Sequence, residues 1–303
     1  MIISASRRTD IPAFYGEWMM NRLREGFCVV QHPMRPQIAY HVSLKVEDVD
    51  AIVFWTKYPK SLLPFLDEIE SRRYRFLFLY TLTPYGPPLE SRLPPLEERL
   101  QMFRQLSTKL GAERVLWRYD PIVLSNRTDE SYHEQSFGQL ASNLAGFTQR
   151  VIVSFVDYYP FVARRLANLR TEGLDVCVES EIRAKAIPLA KRLRRIALQY
   201  GIEIQSCAEE LDMKEAGIAP GSCIDGLLLH RLFAVRAPLK KDPGQRKYCL
   251  CTVSKDIGAY DTCGHLCAYC YASRDLSLAA RRCAEHDPSA PSLLGHITPP
   301  ELH

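Results

Sequence analysis

The chain has 303 residues, enough for one barrel-sized domain or two average ones around a large core. Its charged fraction of 24% and hydrophobic fraction of 47% are those of a soluble globular protein and exclude a disordered or collagen-like chain. The net charge of +4 is mild, and the basic residues are scattered (Arg7 with Arg8, Arg72 with Arg73, Lys191 to Arg195), a pattern of solvated helix faces that argues against a nucleic-acid partner.

No apolar run approaches the roughly 18 residues that cross a bilayer, so no membrane partner is expected. The opening MIISASRRTD lacks the order of a signal peptide, and a cytoplasmic location follows as an expectation. In a reducing compartment clustered cysteines are metal ligands more often than disulfides. Eight of the ten cysteines lie beyond position 200.

In chain order, Met1 to Ser6 reads as a buried strand that breaks into Arg7, Arg8, Thr9 and Asp10. A helix is predicted from Phe14 to Gly26, with Trp18, Met19, Leu23 and Phe27 on one face. The same order recurs. Asp50 to Trp55 runs into Thr56, Lys57 and Tyr58, followed by an amphipathic helix over Ser61 to Glu70. Arg75 to Tyr80 leads through a proline-rich loop to a helix over Leu96 to Leu110. Arg114 to Trp117 runs into Arg118, Tyr119, Asp120 and Pro121, with a helix after Asp129 as far as Leu144. Arg150 to Phe155 runs into Val156, Asp157 and Tyr158 before a helix over Phe161 to Glu172. A basic helix over Ala184 to Tyr200 then leads to a strand over Ile202 to Ser206 and to Cys207.

Apolar strands alternating with amphipathic helices predict an α/β fold of parallel βα units. Six such strands suggest a (β/α) barrel, partial or complete, over residues 1–236. A doubly wound sheet gives much the same pattern, but no glycine-rich phosphate turn follows any strand. From 237 to 303 the pattern changes to cysteine-rich loops and one helix, Asp275 to His286, expected to pack on the barrel as part of one domain.

Within that segment, YDTCGHLCAYCY places Cys263, Cys267 and Cys270 close enough to meet at one metal centre. Structural zinc sites and ordinary iron–sulfur clusters take four protein ligands, so three leave one coordination position open for chemistry. A zinc knuckle completed by His265 or a distant cysteine is the plain alternative. Tyr269, just before the last cysteine, is expected to pack over the centre and keep water out. Cys207, Cys223, Cys249 and Cys251 stand in turn-like polar loops and could fill an auxiliary centre, a second iron–sulfur cluster or a zinc ion. Cys28, Cys177 and Cys283 fit apolar patterns as small core residues.

The C-x3-C-x2-C run with an aromatic before its last cysteine resembles the cluster motif of the radical S-adenosylmethionine (SAM) enzymes. The chain as a whole is similar to the DUF1848 family, whose C-terminal cysteine group is likened to that motif. The resemblance implies a [4Fe–4S] cluster on Cys263, Cys267 and Cys270, with SAM chelating the fourth iron, and an electron donor such as flavodoxin or ferredoxin. The motif usually stands near the start of a radical SAM barrel, whereas here it stands near the end of the chain. A circular permutation accounts for that position, and it predicts that Met1 to Ser6 and the segment before Cys263 are neighbours in one sheet.

Charges at the ends of apolar strands are costly unless paired or bound to a ligand. Arg7, Asp10, Lys57, Arg118, Asp120 and Asp157 are therefore the candidate catalytic residues, and Ser6, Arg7, Arg8, Asp10, Thr56, Lys57 and Tyr269 the candidate cofactor contacts. Arg7 or Lys57 suits the SAM carboxylate, and Asp10 or Asp120 its ammonium and ribose hydroxyls. Internal ion pairs such as Arg118 with Asp120 are the competing explanation. Trp55, Tyr80, Trp117, Phe155 and Tyr158 would supply aromatic walls; His133 and His230 are expected to be structural or surface residues, an expectation that is weaker for His265 because it lies within the cluster loop. The reading that results is a radical SAM enzyme, with a structural or electron-transfer iron–sulfur or zinc protein as the alternative. A barrel nuclease would need histidine and carboxylate metal ligands that these strand ends lack.

Overall fold

The computed structural model describes residues 1–236 and 239–297. The predicted boundary at 237 and positions 298–303 of the C-terminal segment lie outside them. The strands are β1 (Ile2–Ala5), β2 (Phe27–His32), β3 (Arg35–Ser43), β4 (Ala51–Thr56), β5 (Phe76–Thr81), β6 (Val115–Ile122), β7 (Arg150–Phe155), β8 (Glu203–Cys207), β9 (Ala219–Gly221) and β10 (Lys255–Asp256). The helices are α1 (Ile11–Phe14), α2 (Gly16–Glu25), α3 (Leu66–Ser71), α4 (Leu96–Leu110), α5 (Glu130–Leu144), α6 (Pro160–Asn168), α7 (Glu179–Gln199), α8 (Gly226–Phe233) and α9 (Leu276–Ala284). None is long and apolar enough to cross a membrane among the described residues.

Eight strands form one parallel sheet in the order β10-β1-β4-β5-β6-β7-β8-β9. Apart from β10, strand order follows chain order without the reversal that marks a doubly wound sheet. The sheet has two edges, β10 and β9, so it is open and not the complete barrel that was one expectation. On β1, Ile3 pairs with Lys255 and Ser4 with Asp256, which makes the segment before Cys263 the sheet neighbour of the N-terminal strand, as expected.

Side chains alternate across the strands because their period is two. Ile3, Ile52, Phe54, Phe76, Phe78, Tyr80 and Trp117 face a core shared with Phe103 of α4, Phe137 of α5, Leu166 of α6 and Leu193 of α7. The intervening residues Ile2, Val53, Trp55, Leu77, Leu79, Leu116 and Ile152 face Leu228 and Leu229 of α8, together with Cys223, Cys249 and Cys251. The strands read as continuously apolar because both faces are buried.

Aspartates set several helix starts. Asp129 accepts from Tyr132 N at 2.8 Å, Asp225 from Leu228 N at 3.0 Å and Asp275 from Ser277 N at 2.9 Å, each satisfying an amide that the first turn leaves open. The predicted helix over Phe14 to Gly26 is two helices, α1 and α2. They meet where Gly16 lies against the chain at Ser61, and a Cβ there would stand 2.1 Å from the Ser61 carbonyl oxygen. Phe27 opens β2 and is not a helix residue. The antiparallel β2–β3 hairpin, the short β9 and the helix α8 are additions to the predicted elements. The basic helix begins at Glu179, five residues before its predicted start at Ala184.

Candidate functional site

The carboxyl ends of β1, β4, β5, β6, β7, β8 and β10 border a cavity of about 520 Å³, and Cys207, Cys223, Cys249, Cys251, Cys263, Cys267 and Cys270 all line it. The two cysteine groups reach it from different sides. Cys267 packs with the helix-side core, and Cys223, Cys249 and Cys251 pack with the core on the other face.

The loop carrying Cys263, Cys267 and Cys270 is fixed from beneath by Asp10. One carboxylate oxygen of Asp10 caps α1 through Ala13 N at 3.0 Å. The other accepts from the Lys57 backbone N–H at 2.7 Å and meets His265 Nε2 at 2.8 Å. His265 is 3% exposed, its ring edge-on to Phe14 at 4.6 Å, and its buried Nδ1 has no partner among the described residues. With Nε2 donating to Asp10, a neutral ring presents Nδ1 as an acceptor. Beside it, Gly264 has no room for a side chain, because a Cβ would stand 2.8 Å from Phe14 Cε1 and 2.9 Å from Cys283 Sγ. Leu266 follows at φ +51°, a conformation that L residues adopt only when the surroundings impose it. Burial, followed by the neighbouring Cys270, Asp10 and Cys267, pushes the Cys263 thiol well up. Burial raises Cys267 to about 12 against the opposing pull of Lys57. Cys263 and Cys267, two thiols that resist ionising, would be relieved by a shared cationic centre.

Lys57 lines the cavity with its charge already matched. Its ammonium lies 2.7 Å from Glu90, which also accepts from Thr83 Oγ1 at 2.8 Å, from Arg99 at 3.4 Å and from the Tyr269 hydroxyl. Glu90 is 1% exposed, and although burial works against its charge, Lys57 and then Arg99 hold its carboxyl below the usual range. The Tyr269 ring sits under the Lys57 ammonium at 5.5 Å, so the expected cover over the cysteines is anchored by its hydroxyl to this ion pair. Sequence reasoning missed Glu90. Its one signal was an acid inside the proline-rich loop after β5.

Cys207 ends β8 and its sulfur lies 3.2 Å from that of Cys223, which follows β9. The Cys251 sulfur accepts from Ile224 N at 3.4 Å. The neighbouring Cys223 and Cys249, and then the charge of Arg7, hold Cys251 well below the ordinary thiol range against its burial, while Cys223 and Cys249 are pushed up. Among the described residues no group of three or more His, Cys, Asp or Glu side chains is arranged so that it could hold a metal ion.

The remaining strand-end residues divide into paired and unpaired. Arg118 pairs with Asp120 and reaches Thr81 Oγ1 at 3.2 Å; burial disfavours its charge, but Asp120 and then Cys223 and Cys207 favour it. Asp157 pairs with Arg246 at 2.5 Å. Ser6 and Arg8 are tied to Asp256, the serine hydroxyl at 2.8 Å and the guanidinium at 3.4 Å, and Asp256 also accepts from the Arg7 backbone at 2.8 Å. Asp256, missed in the sequence, thereby joins β10 to the end of β1. Thr56 accepts from Tyr58 N at 3.0 Å. The Arg7 guanidinium lies against the Trp55 ring at 5.6 Å, donates to Ser254 Oγ at 3.3 Å, and has no carboxylate at ion-pair distance among the described residues.

Of the five aromatic walls expected, Trp55 and Phe155 line the cavity. Tyr80 and Trp117 instead point into the helix-side core because of the strand alternation, and the Tyr158 hydroxyl is turned to the Cys177 carbonyl. His133, bonded to Tyr119 at 2.7 Å and to the Val123 carbonyl at 3.0 Å, and His230, at 3.2 Å from the Val235 carbonyl, are outside the cavity lining.

A family model described as a domain of unknown function, DUF1848, matches residues 2–272. No curated protein matches the chain.

Proposed function

The chain belongs to the DUF1848 family, and from the arrangement around its cavity we propose that it is a radical SAM enzyme with a [4Fe–4S] cluster held by Cys263, Cys267 and Cys270. The observation that carries this reading is the Asp10 anchor, which sets the three-cysteine loop at the carboxyl edge of a parallel sheet, facing a cavity large enough for a small molecule. The donors suit the cluster: three thiols are the soft ligands that iron–sulfur centres take, and the buried Nδ1 of His265 is a polar atom that the protein leaves unsatisfied in the same loop. The position of β10 beside β1 supports a partial barrel whose opening unit, strand then cysteine loop then α9, has been moved to the C-terminus.

Such a cluster, when bound and reduced by a flavodoxin- or ferredoxin-like donor, supplies the electron that cleaves SAM to methionine and a 5′-deoxyadenosyl radical. The chain's own part is to bind, orient and shield. Arg7, the strand-end cation without a carboxylate partner among the described residues, is the residue for the SAM carboxylate, while Lys57 is held by Glu90 and contributes local charge. Asp120, one oxygen of which is held by Arg118, offers its other oxygen to the SAM ammonium or ribose hydroxyls, since both oxygens of Asp10 are engaged in fixing the loop. Trp55 and Tyr271, whose hydroxyl donates to the Arg7 carbonyl at 3.0 Å, close the wall between the cation and solvent.

Anaerobic reconstitution with iron and sulfide, followed by SAM and dithionite, tests the proposal by whether 5′-deoxyadenosine forms. Its absence from fully reconstituted protein would leave the second reading, centres that are structural or carry electrons. The four-cysteine group favours that reading, because four protein ligands leave no coordination position open.

A further inference from the structure

We infer that Cys207 and Cys223 form a redox-active dithiol in the cavity wall, which a small-molecule disulfide entering the cavity converts reversibly to an intramolecular disulfide. Their sulfurs stand 3.2 Å apart. A disulfide bond is about 2.05 Å long, so the two sulfurs have only about 1.2 Å to close, an approach on the scale of a side-chain adjustment.

Sheet pairing holds the two cysteines together. Cys207 is the last residue of β8 and is paired with Gly221 of β9, and Cys223 follows two positions on. The strands come so close there that a Cβ on Gly221 would stand 2.7 Å from the Cβ of Gln205, so glycine at 221 is what permits this register.

The two thiols differ in access. Both line the cavity, but Cys207 is partly buried, whereas Cys223 is 2% exposed and belongs to the core that also holds Leu228 and Leu229. Cys207 is therefore the sulfur that meets the oxidant, and Cys223 the one that resolves the product. In the first step the Cys207 thiolate attacks one sulfur of the small disulfide RSSR, forming the mixed disulfide Cys207–S–S–R and expelling RS⁻. In the second the Cys223 thiolate attacks the Cys207 sulfur, forming the bond between the two cysteines and expelling the other RS⁻. The two thiol protons end on the two RS⁻ groups, so the dithiol loses two electrons and two protons and RSSR is reduced to two RSH. Cys223 resists ionising, but its attack is intramolecular, and a neighbour held in contact reacts at a high effective concentration.

The bond closes a loop of 16 positions that carries Glu209. The Glu209 carboxylate accepts the Phe155 N–H at 2.6 Å at the end of β7, and Phe155 lines the cavity. Oxidation thereby fastens the cavity wall through Glu209.

This site is independent of the SAM reading, and its test uses neither SAM nor iron. The full chain, reduced and then freed of reductant without air, is treated with bis(2-hydroxyethyl) disulfide, and its peptides are mapped by mass spectrometry. The expected result is a bond linking the peptides that contain Cys207 and Cys223, with the loss of two hydrogen atoms, undone by dithiothreitol. Cys223→Ser should instead keep one hydroxyethyl adduct on Cys207, and Cys207→Ser should leave Cys223 unmodified over the same time. Hydrogen exchange over 207–223 and in the peptide containing Phe155 should slow in the oxidised chain. No bond between the two cysteines in the parent chain, a lasting adduct on Cys207 there, or a bond from either cysteine to another one formed first overturns the inference. Modification of Cys223 in Cys207→Ser as fast as that of Cys207 in the parent overturns the assigned order of attack, and unchanged exchange overturns the link to the cavity wall.

Discussion

Asp10 and His265 meet at 2.8 Å although 255 positions separate them in the chain, and through that contact the end of β1 fixes the loop that carries three cysteines. Asp10 also caps α1 and holds the start of the segment after β4, so one buried carboxylate joins three parts of the chain.

Replacing Asp10 by Ala should therefore destabilise the protein by about 3 kcal/mol, the sum of a lost cap and a lost charged hydrogen bond in a buried place. Asp10→Asn, which keeps one acceptor, should cost less. Urea denaturation measures both, and hydrogen exchange in the peptides around 260–271 should quicken more than elsewhere. Uniform quickening across the sheet would mean that Asp10 does not act on the loop.

Glu90 holds two cations in a buried place, Lys57 at 2.7 Å and Arg99 at 3.4 Å. Glu90→Gln leaves both uncompensated and should cost about 3 to 5 kcal/mol, as removal of one partner from a buried ion pair does. Adding Lys57→Met should restore part of that loss, because the orphaned charge is then gone. A double variant as unstable as the single one would show that the pair is not the source of the cost.

Burial holds His133 down to about 4 from the ordinary 6.5, while its ring contacts Tyr119 and the Val123 carbonyl. The folded chain thus binds fewer protons at this ring than the unfolded chain does between those values. The stability it contributes is fully present above about pH 6.5 and is lost as pH falls toward 4, by about 3 kcal/mol in all. Stability measured by denaturant at successive pH values should show that slope, and His133→Gln should flatten it. An unchanged slope in the variant assigns the effect to other groups.

For the proposed SAM chemistry, Cys263→Ala, Cys267→Ala and Cys270→Ala should each abolish 5′-deoxyadenosine formation while leaving the far-ultraviolet circular dichroism near that of the parent, since most of the core lies in the sheet and its helices. Product formed by any of the three would refute that ligand set. Arg7→Gln should weaken SAM binding by roughly 10- to 100-fold, the worth of one hydrogen-bonded charge pair, with Arg7→Lys intermediate. Equal affinity in Arg7→Gln and the parent would remove Arg7 from the site.

What the sequence determined by itself is local. The 3.6-residue stripe over Leu96–Leu110 and the apolar run over Arg150–Phe155 match α4 and β7 residue for residue, because helix and strand periodicity are written within a few positions. The spacing of Cys263, Cys267 and Cys270 likewise keeps them on one loop. The open edges of the sheet, by contrast, were beyond periodicity, which does not say whether the first and last strands pair. Nor does it say which strand-end charges meet partners: Lys57 meets Glu90 33 positions away, Asp157 meets Arg246 89 positions away, and only Arg7 is left without a carboxylate partner among these described residues. Tertiary structure decided these matters because an ion pair or a thiol contact depends on where two distant segments of the chain are brought together in space. Sixteen positions of sequence between Cys207 and Cys223 became 3.2 Å only when β9 paired with β8.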